Sequence, residues 1–146
     1  MDGSVVGRGG GALMIHVIYK GRALPSAWRV RQGPQGHVPE EWPMALVNLI
    51  RACLPEGTQV VFLGDGECDG TTLQETLNEA GWCYVCRTAQ STVATWAGES
   101  FRLDTLGACS KPGTLIALQE VQITRDAYGP VRLLCCWAKG EAEPLY

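Results

Sequence analysis

The chain contains no apolar run approaching the roughly 18 residues that a membrane-spanning helix requires. The start Met1-Asp2-Gly3-Ser4-Val5-Val6 has neither a basic stretch nor a long apolar one, so the chain is not expected to open with a secretion leader. Its seven cysteines follow no regular spacing and are odd in number, which fits no disulfide framework; reduced thiols in a cytoplasmic protein are the expectation. Histidine occurs only at His16 and His37, neither with an evident Ser or Cys partner, so no nucleophile–base pair stands out. Charged residues make up only 18% of the chain and apolar ones 46%, at a mean hydropathy of zero. Such a chain buries enough apolar surface to offset its ordering entropy, which excludes disorder as the dominant state. Its 146 residues amount to one ordinary domain, large enough to fold without a metal or disulfide staple.

The net charge of −3 and the pI near 5.3 argue mildly against a nucleic-acid binder. The charges are unevenly spread. From Gly3 to Pro39 there are five basic residues (Arg8, Lys20, Arg22, Arg29, Arg31) and no acidic one. From Ala52 to Cys86 there are six acidic residues (Glu56, Asp65, Glu67, Asp69, Glu75, Glu79) and no basic one. A cationic flank beside an acidic cluster suits metal-assisted chemistry on a polyanion, although ordinary patchiness gives the same pattern.

Local patterning predicts an α/β core. Residues 12–19 read as a buried strand, Lys20-Gly21 as a hairpin turn, and residues 22–31 as a return strand that Pro25 confines to an edge or a bulge. A loop is expected at 32–38. A helix follows over 43–53, with Leu46, Leu49, Ile50 and Cys53 as its apolar face and Pro43 in its first turn. Residues 60–64 read as a fully buried strand. Thr72 with Glu75 predicts a capping box for a second helix, whose inward face is Leu73, Thr76, Leu77 and Ala80 and whose C′ residue is Gly81. Residues 82–86 form the next strand. Beyond them, 92–101, 115–124 and 131–137 read as strands without helical period, a β-rich appendage.

Chemistry concentrates in Gly64-Asp65-Gly66-Glu67-Cys68-Asp69-Gly70, directly after a strand. In open α/β sheets ligands sit at this edge, and crowded carboxylates there call for a divalent cation. Asp65 is the candidate. Glu67 and Asp69 read as solvated acids at the head of the next helix. An EF-hand loop is excluded, since Thr76 stands where its bidentate Glu belongs. Cys83-Tyr84-Val85-Cys86 is a CxxC, but on a strand its thiols point to opposite faces, and adjacent Cys135-Cys136 offer no second zinc pair. Gly7-x-Gly9-x-x-Ala12 precedes a strand rather than a helix and so is no phosphate cradle.

Several segments resemble, in order and spacing, the insertion-sequence-four type of DDE transposase. They are Asp2-Gly3-Ser4-Val5-Val6-Gly7-Arg8-Gly9, Tyr19-Lys20-Gly21-Arg22-Ala23-Leu24-Pro25-x-Ala27-Trp28, Val61-Phe62-Leu63-Gly64-Asp65-Gly66-Glu67, Gly81-Trp82-x-Tyr84-Val85-Cys86-Arg87-Thr88 and Leu134-Cys135-Cys136-Trp137-Ala138-Lys139-Gly140. The resemblance implies a ribonuclease-H-like mixed sheet with flanking helices over residues 1–90, and an incomplete β-rich insertion over 91–146. It implies Asp2 and Asp65 as catalytic and metal-binding carboxylates for Mg²⁺ or Mn²⁺, about 4–8 Å apart, and transposon-end DNA and other transposase copies as partners. It does not assign DNA-binding residues.

The chain departs from that pattern at the third carboxylate. The family carries it as Glu in Tyr-x2-Arg-x3-Glu-x6-Lys. Here Tyr19 and Tyr84 each have Arg three residues on (Arg22, Arg87), but Ser26 and Ser91 stand where Glu belongs. The first Asp directly follows Met1, so half of its strand is expected to be missing, and Cys68 and Pro43 replace an expected Phe and a non-proline. The expectation is therefore an inactive transposase fragment. Two alternatives remain: a non-enzymatic remnant that binds DNA or a full-length transposase, and an unrelated Mg²⁺-dependent α/β phosphotransferase centred on Asp65. The latter needs a Lys near Asp65, whereas Lys111 and Lys139 fall in the appendage.

Overall fold

A computed structural model describes residues 1–7, 10–32, 39, 41–66 and 68–146. The expectations placed on Arg8, Gly9, the 33–38 loop with His37, and Glu67 lie outside the described residues. The chain is mixed α/β, with two compact units, Met1–Cys86 and Arg87–Tyr146.

The first unit opens with an antiparallel sheet of β1 (Asp2–Val6), β2 (Gly10–Tyr19) and β3 (Arg22–Gln32), in the order β1-β2-β3. Gly10 starts β2 because the β1–β2 crossing is tight: a Cβ there would lie 2.6 Å from the Val6 carbonyl oxygen. The Lys20-Gly21 turn forms as expected, with φ of 49° and 73°, the doubly left-handed geometry that matches strand twist. Pro25 sits on the edge strand beside a bulge, since the β2–β3 register passes from Ile15↔Ala27 to His16↔Pro25.

Two crossovers follow: α1 (Glu41–Cys53), β4 (Val61–Gly64), α2 (Thr71–Glu79) and β5 (Cys83–Cys86), with β4 and β5 parallel. Pro43 lies in the first turn of α1, as expected, but the buried face is Pro43, Leu46 and Val47. Leu49 is 53% exposed and Cys53 is exposed, so the expected face is rotated towards Val47. The capping box does not form. The N-cap of α2 is Gly70, without a side-chain cap, because the helix begins two residues earlier than Thr72 as N-cap requires. Its C-terminus is as expected: Gly81 (φ 70°) and Trp82 donate to the carbonyls of Asn78 and Leu77, closing a Schellman motif.

Both helices pack on one face of this unit. Leu13, Ile15 and Ala27 from the first sheet, Leu46 and Val47 from α1, Phe62 from β4, Leu73 and Leu77 from α2, and Trp82 share one core with Cys68. The opposite face is uncovered. Val61 and Leu63 on β4, Val85 on β5, Ile18 on β2 and Trp28 and Val30 on β3 are each more than half exposed. The strands at 12–19 and 60–64 are thus buried on one face only, a correction to the continuous burial that their apolar runs imply. The single mixed sheet is also divided. The β1-β2-β3 and β4-β5 ladders are separate, and the Met1 ammonium donates to the Leu63 carbonyl between them.

The second unit is an antiparallel sheet, order β7-β6-β8-β9, of β6 (Val93–Trp96), β7 (Glu99–Arg102), β8 (Thr114–Ile123) and β9 (Tyr128–Trp137). Residues 92–101 are not one strand. They turn at Ala97-Gly98 (φ 53° and 84°) into the β6–β7 hairpin. A short helix, α3 (Leu103–Ala108), also contradicts the expectation of strands alone. Its six residues are too few to set up a period, but Leu103 and Gly107 are buried on one face. Ala94, Leu103, Val121, Ile123 and Leu133 form this unit's core. Among the described residues, no helix is long and apolar enough to cross a membrane.

Candidate functional site

Asp65 leaves β4 at its C-terminal end, as expected, and the backbone there is packed tightly. A Cβ on Gly64 would lie 2.5 Å from the Cys68 Cβ and 3.0 Å from Phe62 Cε1, so only glycine fits before Asp65. The Cys68 amide closes the turn by donating to the Asp65 carbonyl at 2.9 Å. Its thiol Sγ then lies 4.0 Å from Asp65 Oδ1, with the S–H as donor. The Cys68 side chain, fully buried, seals the core immediately beneath the acidic loop.

Burial pushes the Cys68 thiol up to about 12; the negative charges of Asp65 and Cys86 act in the same direction, and the Met1 ammonium opposes them. Burial likewise pushes Cys86 up to about 11, helped by Asp69 and opposed by Met1. Both thiols therefore stay neutral at neutral pH. They serve as packing groups and a weak donor rather than as thiolate ligands. Cys83 is exposed and Cys86 half-buried across the strand, so the CxxC thiols diverge as the strand geometry demands.

Asp2, exposed, begins β1 opposite Met14. The bond from the Met1 ammonium to the Leu63 carbonyl sets β1 beside the end of β4. Asp2 pairs with Met14, on the face of β2 opposite the core residues Leu13 and Ile15, and Asp65 directly follows the end of β4. Asp69 lies one residue before the N-cap of α2, where free helix N–H groups favour a carboxylate, and its carbonyl accepts from Gln74 Nε2 at 3.3 Å.

Carboxylates such as Asp2 and Asp65 are the hard oxygen donors that Mg²⁺ and Mn²⁺ prefer. Their number is short of a two-ion clamp: among the described residues no three His, Cys, Asp or Glu side chains gather to hold a metal ion. Sequence reasoning missed Cys68 as a neighbour of Asp65 and the Met1 ammonium as a charge acting on Cys68. The signal for Cys68 was its place three residues after Asp65, across a tight turn begun by an obligatory glycine. Comparison of the chain with family models, with curated proteins and with solved structures returned no match.

Proposed function

We propose that these residues carry part of the catalytic core of a DDE transposase of the insertion-sequence-four type, with Asp2 and Asp65 as two of its three metal-binding carboxylates. The observation that carries the reading is the bond between Met1 and Leu63, which aligns β1 with β4. In this reading β1 and β4 are lateral neighbours, which would give the strand order β3-β2-β1-β4-β5 of a ribonuclease-H-like sheet, although the two ladders are separate here. In the same reading the two carboxylates lie near each other at the strand-end edge where α/β proteins bind ligands. A divalent ion held there supplies Lewis acidity towards a phosphodiester oxygen. The chain's own contribution is to orient Asp65, through the Gly64–Cys68 turn, and to place Asp2 on the neighbouring strand. The 146 residues provide no Tyr-x2-Arg-x3-Glu-x6-Lys helix, so the second ion of a two-metal mechanism has no clamp and these residues alone do not cut or join DNA.

The test is Mn²⁺ titration followed by paramagnetic broadening of amide resonances, beside a DNA-nicking assay. Broadening is expected at Gly3 and around Gly64–Gly66, abolished in Asp65→Asn and weakened in Asp2→Asn, with no nicking above background. Broadening centred elsewhere, or unchanged in Asp65→Asn, overturns the site. Nicking that Asp65→Ala abolishes overturns the inactivity of these residues on their own.

A further inference from the structure

Cys68 and Cys86 are two thiols that the chemistry proposed for Asp2 and Asp65 does not use, and the fold directs both to one spot of the core. In the parallel β4–β5 ladder Phe62 stands opposite Tyr84, and Gly64 stands opposite Cys86. Partnered residues project to the same face of a sheet, and Phe62, Tyr84 and Cys86 all pack in the core on the helix side. Cys86 therefore enters that core from the position beside Gly64. Gly64 has no side chain to fill its own place in the row, and Cys68 takes the space. The point where a Gly64 Cβ would stand is 2.5 Å from the Cys68 Cβ and 3.3 Å from its Sγ.

These observations bound the distance between the two side chains. Partnered positions of a ladder start their side chains about 4.8 Å apart, one strand spacing. With the 2.5 Å offset of Cys68 from the Gly64 position, its Cβ lies between about 2 and 7 Å from the Cys86 Cβ. A disulfide needs about 3.5–4.5 Å, the middle of that range. The chain between the two cysteines forms α2, which packs against β5 and so holds the Cys68 turn over the Cys86 strand. A charge on Cys86 is also felt at Cys68, an independent sign that the two sulfurs are neighbours. The remaining cysteines are placed otherwise. Cys53, Cys83, Cys109 and Cys136 are exposed, and Cys135 is buried in the second unit.

We propose that Cys68 and Cys86 are a dithiol that closes to a disulfide on meeting a small disulfide such as oxidised glutathione. Cys86, half-buried, reacts first. Its sulfur bonds to one glutathione sulfur, the glutathione S–S bond breaks, and the other half leaves as reduced glutathione. The Cys68 sulfur then bonds to Cys86 Sγ and displaces the second glutathione. The protons that Cys86 and Cys68 lose end on the two glutathione thiols, so the protein gives up two electrons and one small disulfide is reduced to two thiols. Exchange proceeds through the thiolate, so mild alkali speeds it. The bridge ties the turn after Asp65 to β5, and it removes the S–H that Cys68 offers to Asp65 Oδ1. Oxidation thereby changes the surroundings of the Asp65 carboxylate, whether or not that carboxylate takes a metal.

The test treats the whole 146-residue protein with oxidised glutathione at mildly alkaline pH, native and in concentrated urea, followed by acid quench, alkylation and peptide mapping by mass spectrometry. A linked Cys68–Cys86 peptide is expected from the native protein at about tenfold or more its level in urea, while the exposed cysteines carry glutathione. In Cys68→Ser the glutathione on Cys86 should persist as a trapped adduct, and in Cys86→Ser Cys68 should remain a free thiol. Amide exchange at Gly66 and Cys68–Gly70 should slow several-fold in the bridged protein. A native protein with glutathione on Cys86 and a free thiol at Cys68 overturns the pair, as does a linked peptide no more abundant than in urea. A bridge that leaves exchange around Asp65 unchanged overturns its coupling to that turn.

Discussion

Replacing Gly64 by alanine adds one methyl group where the described atoms leave no room for it. The new Cβ would stand 2.5 Å from the Cys68 Cβ, 3.0 Å from Phe62 Cε1 and 3.3 Å from Cys68 Sγ. Carbon atoms in contact prefer about 3.5–4.0 Å, so the loop must retreat by roughly 1 Å. The Cys68 Cβ cannot swing away, because it is fixed to a backbone whose amide is bonded to the Asp65 carbonyl. Overpacking of this kind costs about 1–3 kcal/mol, and a backbone-anchored obstacle places Gly64→Ala near the upper end. The stiffer unfolded chain offsets about 0.4–1 kcal/mol, leaving a net loss of about 2 kcal/mol. Urea unfolding followed by fluorescence of Trp82, buried in this core, reads the loss directly. The double variants locate its cause. Cys68→Gly removes the obstructing Cβ, so adding Gly64→Ala to it should cost less than about 0.5 kcal/mol. Cys68→Ala keeps the Cβ, so there the full penalty should persist. Equal rescue by both, or a Gly64→Ala single variant as stable as the parent, refutes the argument that a backbone contact makes this glycine obligatory.

The raised thiols of Cys68 and Cys86 make stability fall in alkali. Below pH 9 both states hold their protons and the stability is full; between pH 9 and about 11–12 the unfolded chain ionises while the folded chain does not. Stability should drop by up to about 1.4 kcal/mol per pH unit per thiol over that window, and urea midpoints for Cys68→Ala should show a flatter decline. Lys20→Asn should stabilise by about 0.5 kcal/mol in thermal melts, because Lys20 holds a φ of 49° that asparagine tolerates better in an Asn-Gly turn. Gly107→Ala should loosen the second unit by directing its methyl onto the Tyr146 hydroxyl, and Tyr146→Phe should partly restore the melting temperature. In contrast, Arg102→Ala should leave stability within about 0.5 kcal/mol, since its 2.6 Å pair with Asp104 is solvent-exposed.

Which features the sequence exposed depended on how local their causes are. The Lys20-Gly21 turn, the bulge at Pro25, the Gly81 helix end and the strand before Asp65 each rest on a few adjacent residues, and each lies where local chemistry puts it. The failures were non-local. Continuous apolar runs at 12–19 and 60–64 read as strands covered on both sides, but coverage depends on which elements return over the sheet, and both helices return to the same face. Thr72 and Glu75 carry the letters of a capping box, but the chain enters α2 from the Cys68 turn and begins the helix at Thr71. The helix α3 is held by Leu103 in a core assembled from distant strands, and six residues give no period to detect. For the candidate site, the position of Asp65 at a strand end was legible from local pattern. Asp2 enters only by resemblance, because the contact that relates the start of β1 to β4 is a single bond between residues 62 positions apart.

The proposed pairing has an energetic consequence that separates a metal site from a chance pair. In the proposed site Asp2 and Asp65 repel each other in the folded chain and are independent in the unfolded one. At about 6 Å the Coulomb repulsion is on the order of 0.7 kcal/mol in water-like surroundings, and Asp2 is exposed, so about 0.5 kcal/mol is expected. The Met1 ammonium does not cancel it in the balance, because Met1 adjoins Asp2 in both states. With chelator present, Asp2→Asn should therefore stabilise the protein slightly. With millimolar Mn²⁺ the sign should reverse. An ion that binds only the folded pair stabilises it by mass action, about 1.4 kcal/mol per tenfold excess over the dissociation constant, and Asp2→Asn forfeits most of that gain. Parallel urea titrations of parent and variant, with and without Mn²⁺, give the four stabilities required. If the parent gains nothing from Mn²⁺, or gains as much as Asp2→Asn does, the two carboxylates do not share an ion, whatever their positions in the strands.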